Sequence, residues 1–575
     1  MGIQAGASTG EGKALSTGRR RAGADVVLRG ATVVNGDRRP PRRADVRVHA
    51  GTVVEVGVGD GPLPADGATV VDLFGLVLAP GFVDPHTHYD AQVLWDADLT
   101  PSSWHGVTTV VTGNCGFTLA PTPEECRDEV VEMLSVVEGM SRTALQAGID
   151  WGFTSFPDYL DVVDARPKRI NVAAMVGHTA LRYAAMGLDA PTRPATADEV
   201  DRMRRMVDDA LDAGAVGLST SRSESHVGAR ARPVPSRAAG PGELAAVADP
   251  LRRRGIGVVE ATWGPDLFVD ELAALADRLD RPVTWAAVLT QRGQPEWTER
   301  IREATRRLPG QVVPQMAAKP LKVQVDLSVP GTMATVPAVT EALGAEVADR
   351  LGRFTDPAWR AEAGRQVAAT DWARRLPRAV LQESVAHADL VGGPSLGDLA
   401  ARDGRTPFEV LLDLAVADNL RSRWTVALMN DADDEVASML GDDRLLLGLS
   451  DAGAHAAQLC DADAPTYLLG HWWRERQAIS LEDAVWRLTG QPADVFGLRR
   501  RGRIAPGMVA DLVAFDPDTV GSRGLSRRSD FPGGADRLVA ESSGIHRVWV
   551  AGTEICADGR LVPGAFPGAL LRGAA

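Results

Sequence analysis

The chain has 575 residues, of which 45% are apolar and 24% charged, ordinary for a folded globular body and far from a disordered composition. Its formal charge of −14 repels phosphate backbones, which argues against nucleic acid as a partner. No run of about 18 apolar residues occurs, so no membrane span is predicted, and the spacing of Cys115, Cys126, Cys460 and Cys556 matches neither a zinc ribbon nor a disulfide framework, which predicts reduced thiols in a cytoplasm.

Residues 1 to 23, rich in Gly, Ser, Thr and Arg, read as a disordered leader. Arg19, Arg20 and Arg21 lack the apolar stretch that an export signal needs. From 24 to 78, β-branched runs broken by turns (Val26 to Leu28, Thr32 to Val34, Val46 to His49, Thr52 to Val56, Thr69 to Asp72) predict a small all-β unit. Between 79 and 495, apolar strands alternate with helical segments, the rhythm of a parallel barrel. Candidate strands are Val107 to Thr112, Asn171 to Val176, Val216 to Thr220, Gly257 to Ala261, Val283 to Val288, Trp424 to Ala427 and Leu445 to Leu449. Candidate helices include Ala197 to Ala213, Asp266 to Leu279, Glu296 to Arg307, Pro407 to Asp418 and Ser480 to Leu488. From about 319 to 403 the rhythm is lost, and a charged, mostly helical insertion over the barrel mouth is predicted. Strand texture returns from 496 to 575, at Asp511 to Asp516, His546 to Ala551 and Leu561 to Val562. The expected fold class is α/β: a (β/α)8 TIM-type barrel with a small β-sandwich built from both chain ends.

The segment Ala79-Pro-Gly-Phe-Val-Asp-Pro-His86-Thr-His88 ends an apolar strand with two histidines at i and i+2. Strand side chains alternate, so both imidazoles point to one face, as a shared metal requires. Asp451 follows Leu445-Leu-Leu-Gly-Leu-Ser450, a carboxylate at the end of a late buried strand. It is a candidate metal ligand and proton carrier for activated water, its competing role being a helix cap.

These motifs, with Gly113-Asn-Cys-Gly116 and Gly448-Leu-Ser-Asp451, resemble the amidohydrolase superfamily, specifically its D-aminoacylase branch of N-acyl-D-amino-acid deacylases. The tail agrees: Leu488-Thr-Gly-Gln-Pro-Ala493 and Arg501-Gly-Arg-Ile-Ala-Pro-Gly-Met-Val-Ala-Asp-Leu-Val513 resemble the family's return from barrel to sandwich. The resemblance implies that Cys115 is a thiolate ligand, a donor suited to zinc. It also implies a second metal site using a Ser-His-x-Arg element and a later histidine. Here the corresponding strands read Gly257-Val-Val-Glu260-Ala-Thr-Trp263 and Pro282-Val-Thr-Trp-Ala286, and neither supplies a histidine. One ion, most simply zinc, is therefore expected on His86, His88 and Asp451 with Cys115; the alternative is that Glu260 preserves a second site. His178, Arg182, Arg222, His226 and His455 follow strand ends and are candidate substrate contacts.

The function implied is hydrolysis of a carbon–nitrogen bond in a small molecule, an amide of N-acyl-D-amino-acid type, by metal-activated water with Asp451 as base and then acid. A cyclic amide or carbamate is an alternative substrate, and a non-catalytic barrel that lost its second site is the rival from another class. A homo-oligomer is compatible with either.

Overall fold

The computed structural model describes residues 25–57, 61–228, 232–240, 242–327, 333 and 335–573. The leader expected over 1 to 23 lies outside the described residues.

A curled sheet carries eight parallel strands in chain order: Phe82–Asp84, Val107–Thr112, Asn171–Gly177, Gly217–Ser221, Val258–Thr262, Val283–Val288, Val312–Met316 and Leu446–Leu447. Its two edges meet just beyond the first and last strands. Thr87 and Ala452 form a parallel bridge, and His88 N–H donates to the Ala452 carbonyl at 2.8 Å. The strands are buried on both faces, as parallel strands under helices must be; every residue of Val107–Thr112 and Asn171–Gly177 is buried. Val83, Val111, Met175, Val258, Val313 and Leu446 pack together as one apolar cluster. Two residues on from Val258 and Val313 come Glu260, which accepts Cys115 N–H, and Gln315, which bonds both His86 and Thr284. The TIM-type barrel expected from the sequence is thus the fold.

One strand is placed differently from the sequence reading. Trp424 to Ala427, expected among the barrel strands, lies within Arg423–Met429, which pairs antiparallel with Leu321–Asp326 and Val380–Glu383 in a separate three-stranded sheet. Val312–Met316 fills the barrel position instead. The burial explains the difference: Trp424 and Val426 are buried while Thr425 and Ala427 are half-exposed, the alternation of an antiparallel sheet with one covered face. The inserted unit has its own core, including Val325, Phe354, Trp372, Leu411 and Trp424.

Both chain ends share a second nine-stranded sheet, in which Val77–Pro80 pairs antiparallel with Leu512–Phe515. The chain leaves that strand through Gly81 straight into the first barrel strand. A Cβ at Gly81 would stand 2.2 Å from Thr108 Oγ1, so only glycine lets the first two barrel strands approach here. A hairpin, Gly521–Arg528 with Arg537–Ser543, reaches the loop after the last barrel strand, where Leu538 N–H donates to the Ala456 carbonyl at 2.6 Å. Among the described residues, no helix is long and apolar enough to cross a membrane.

Candidate metal centre

His86 and His88 leave the first barrel strand one residue apart, both buried, with ring centroids separated by 5.4 Å. Between them the Thr87 hydroxyl donates to the Val111 carbonyl at 2.8 Å, holding the segment to the second strand. His86 Nδ1 lies 2.7 Å from Gln315 Oε1, while the Gln315 amide nitrogen donates to Thr284 Oγ1 at 3.1 Å. The amide oxygen therefore accepts from Nδ1–H, and Nε2 keeps its lone pair. Gly448 makes room for this contact, since a Cβ there would stand 2.7 Å from Gln315 Oε1. Burial pushes the His86 imidazole down to about 4, so the ring is neutral at pH 7, the form that ligates.

His86 Nε2 faces Asp451 Oδ1 at 3.3 Å and Cys115 Sγ at 3.4 Å. His88 Nε2 faces the same aspartate oxygen at 3.7 Å and Glu138 Oε2 at 3.6 Å. The ligand atoms of His86, His88 and Cys115 all lie within 4.8 Å of one another. Two imidazoles, a thiol and a carboxylate converging at these separations form a donor set that fits a divalent cation of zinc type.

Backbone shape aims these groups. Cys115 has φ 55°, and Asp451 has φ 45° after Leu449 at φ 63°, left-handed conformations that cost a non-glycine residue about 1 kcal/mol or more and persist only when surroundings enforce them. At Cys115 the enforcement comes from Asn114, whose amide donates to the carbonyls of Thr87 at 3.2 Å and Val111 at 3.0 Å. Asp90 accepts from the Thr112 hydroxyl and from Gly113 N–H beside it. At the other edge the Ser450 hydroxyl donates to Asp84 Oδ2 at 2.6 Å, locking the last strand to the first. Asp451 does not cap a helix, because the next one begins at Ala464.

Burial alone would raise the Asp451 carboxyl, but the hydrogen bond with His88 and the charges of His86 and His88 hold it well below the usual carboxylate range. Its side chain is 22% exposed, whereas His86 and His88 are enclosed, so Asp451 is the donor that faces the mouth. The Cys115 thiol is pushed well up by burial and by the charges of Glu260, Glu138 and Asp451, so it becomes a thiolate only with a cation beside it. Glu260 Oε2 accepts Cys115 N–H at 2.7 Å, and its buried Oε1 has no hydrogen-bond partner. Burial pushes this carboxyl up to about 8.

The remaining candidates divide. His226 packs at a tilt against Phe117, ring centroids 5.2 Å apart, and Ser221 Oγ fixes its Nδ1 at 2.7 Å. The charges of His88, His455 and Asp451 all act on it, which places it beside the centre. His455 Nε2 lies 3.9 Å from Glu138 Oε2. His178 and Arg182 instead both engage the Glu243 carboxylate, and Arg182 also donates to the carbonyls of Ala190 and Arg193. Arg222 is held by Asp266 and by the carbonyls of Ser236 and Ala239. His178 and Arg222 line a separate cavity of about 420 Å³ with Thr220, Asp266, Leu275 and Arg278. Internal partners therefore occupy His178, Arg182 and Arg222 away from the donor cluster. Two residues the sequence reading did not single out belong to the centre: Gln315, whose only signal is a lone amide in an apolar run, and Glu138, an acid closing the helix Arg127–Val137.

The chain is similar to known proteins along most of its length. The model of the amidohydrolase family matches residues 69–553. D-aminoacylase of Alcaligenes xylosoxydans xylosoxydans is 31% identical over 539 residues, spanning 92% of this chain and 94% of that protein. A solved D-aminoacylase, described by its binuclear metal center with one-metal activation and second-metal attenuation, superposes with a TM-score of 0.62 at 28% identity, covering 96% of this chain and 100% of its own. N-acyl-D-glutamate deacylase from Bordetella bronchiseptica, solved with zinc and a phosphonate mimic of the tetrahedral intermediate, gives 0.62 at 26% identity, with 96% and 100% covered.

Proposed function

As this chain belongs to the amidohydrolase family and is a metal-dependent hydrolase of carbon–nitrogen bonds, we propose that it removes the acyl group from an N-acylated D-amino acid, with His86, His88 and Asp451 holding one divalent ion and Cys115 as a further donor. The observation that carries this reading is the convergence of His86 Nε2, His88 Nε2 and Cys115 Sγ within 4.8 Å, with Asp451 Oδ1 at 3.3 Å from the first.

A divalent ion held by His86, His88, Asp451 and Cys115 would supply Lewis-acid polarisation of the scissile carbonyl and would make water a stronger acid. Asp451, ionised and facing the mouth, takes the proton released by the attacking water and returns it to the leaving nitrogen. Gln315 keeps His86 in the tautomer that presents Nε2. Glu260 holds the backbone of Cys115 through one oxygen, one ion per chain is the proposed count, and imidazole and thiolate donors favour zinc. His226 and His455 line the approach of the substrate. The working place of such an enzyme is the cytoplasm.

The test is elemental analysis of protein purified without chelators, with release of free amino acid assayed on N-acetyl-D- and N-acetyl-L-amino acids. One ion per chain and preference for the D series are expected. Asp451→Asn is expected to lower kcat at least about 100-fold while circular dichroism stays unchanged. A chain that takes up no ion from zinc-containing buffer, or an unaltered kcat in Asp451→Asn, removes this reading.

A further inference from the structure

The two histidines have unlike surroundings. Gln315 takes His86 at Nδ1, the nitrogen turned away from the donor cluster, which is how an outer group orients a metal-binding imidazole. Glu138 does the opposite. Its Oε2 lies 3.6 Å from His88 Nε2, the nitrogen that also faces Asp451 Oδ1 at 3.7 Å. A carboxylate that merely oriented His88 would sit on the other side of the ring.

The rest of the surroundings point the same way. The Glu138 side chain is only 4% exposed, and the helix leading to it buries Val130, Val131, Met133 and Leu134 in the core. A carboxylate so enclosed calls for a positive partner. Within 4 Å, its ion-pair partners among the described residues are the imidazoles of His88 and His455. The backbone is fixed as well: the Glu138 carbonyl accepts His455 N–H at 2.5 Å. Gly139 then packs so closely that a Cβ there would stand 3.0 Å from His455 Nδ1. Glu138 and Asp451 are therefore carried on one stitched frame.

We propose that Glu138 is a ligand of the same ion, a carboxylate delivered at the end of the helix Arg127–Val137. This rests on the reading of His86, His88 and Asp451 as the metal site. A second carboxylate makes the donor set richer in oxygen, so harder ions such as manganese are held better than imidazole and thiolate alone would hold them. It also means that the centre is complete only when this helix is docked against the loop after the last barrel strand.

Cobalt(II) serves as the probe, its affinity read by competition with a chromogenic chelator and its coordination by visible absorption. Glu138→Gln is expected to bind cobalt more than about 10-fold more weakly, beyond what loss of an outer partner gives at its mildest, and to shift the cobalt bands. Affinity within about two-fold of the wild type together with unshifted bands overturns the proposal. Should Glu138→Gln fail to fold by circular dichroism, Glu138→Asp, which keeps the charge on a shorter arm, is measured instead. Shifted bands then support ligation and unshifted bands overturn it. His86→Ala separates the two levels of the argument. If it loses cobalt while Glu138→Gln does not, Glu138 alone is wrong; if it keeps cobalt, the site reading itself fails.

Discussion

The contact between His86 Nδ1 and Gln315 Oε1 decides which imidazole nitrogen faces Asp451 and Cys115. Gln315→Leu keeps the bulk of the side chain but removes the acceptor, freeing the ring to change tautomer or turn. Metal affinity is expected to fall about 10- to 100-fold by chelator competition, with the fold intact. An affinity equal to the wild type would show that packing alone orients His86. His86, His88 and Asp451 were legible in the sequence because each closes an apolar strand, and strand periodicity dictates the face. Gln315 was not, because its partner lies 229 residues away and nothing local to Val312-Val-Pro-Gln-Met316 announces the contact. Glu138 was hidden for a related reason: an acid at a helix end ordinarily reads as solvated.

At the scale of elements, the helix His178–Met186 and the short helix Glu243–Val247 are tied through one carboxylate. Burial alone would raise the Glu243 carboxyl, but His178 and Arg182 hold it down at about 2. Arg182 is fully buried, so Glu243→Gln strands its charge and is expected to cost about 3–5 kcal/mol. Because the folded value lies below the unfolded value of about 4.3, the stabilisation is complete above that pH and is lost as the pH falls toward 2. Denaturant unfolding at pH 7 and pH 3 checks this: the gap between wild type and variant narrows at the lower pH. A gap independent of pH would mean that the charge is not what holds the helices. Arg182 and His178 stood out in the sequence as candidate substrate contacts by their place after a strand; their shared partner Glu243 belongs to a later element and had no local signal. The strand Trp424 to Ala427 carries the same lesson. Its apolar content was visible, and only its half-exposed alternation, Thr425 and Ala427 against Trp424 and Val426, separates it from a barrel strand.

For the whole molecule, the end opposite the metal centre is closed by the C-terminal segment. Leu570–Leu571 lies parallel beside Val172 and Ala173 of the third barrel strand, Gly573 N–H donates to the Gly214 carbonyl at 2.8 Å, and Leu571 packs with Phe496, Leu498 and the interior residues Val111 and Met175. Burying two leucines stabilises by about 3–6 kcal/mol as an upper estimate. Ending the chain at Pro567 is expected to lower the thermal midpoint by at least about 5 °C while kcat, measured well below the transition, is retained. An unchanged midpoint would show that the segment is carried rather than structural.

By itself the sequence determined the barrel, the paired use of both chain ends and the motifs that bear His86, His88, Cys115 and Asp451, because these depend on periodicity and on spacing within a few residues. Tertiary structure alone decided which strand fills the seventh barrel position, which internal partners take up His178, Arg182 and Arg222, and that Gln315 and Glu138 reach the centre. Each of these is a contact between segments far apart in the chain, and a local pattern constrains the direction of a side chain but not the identity of what meets it.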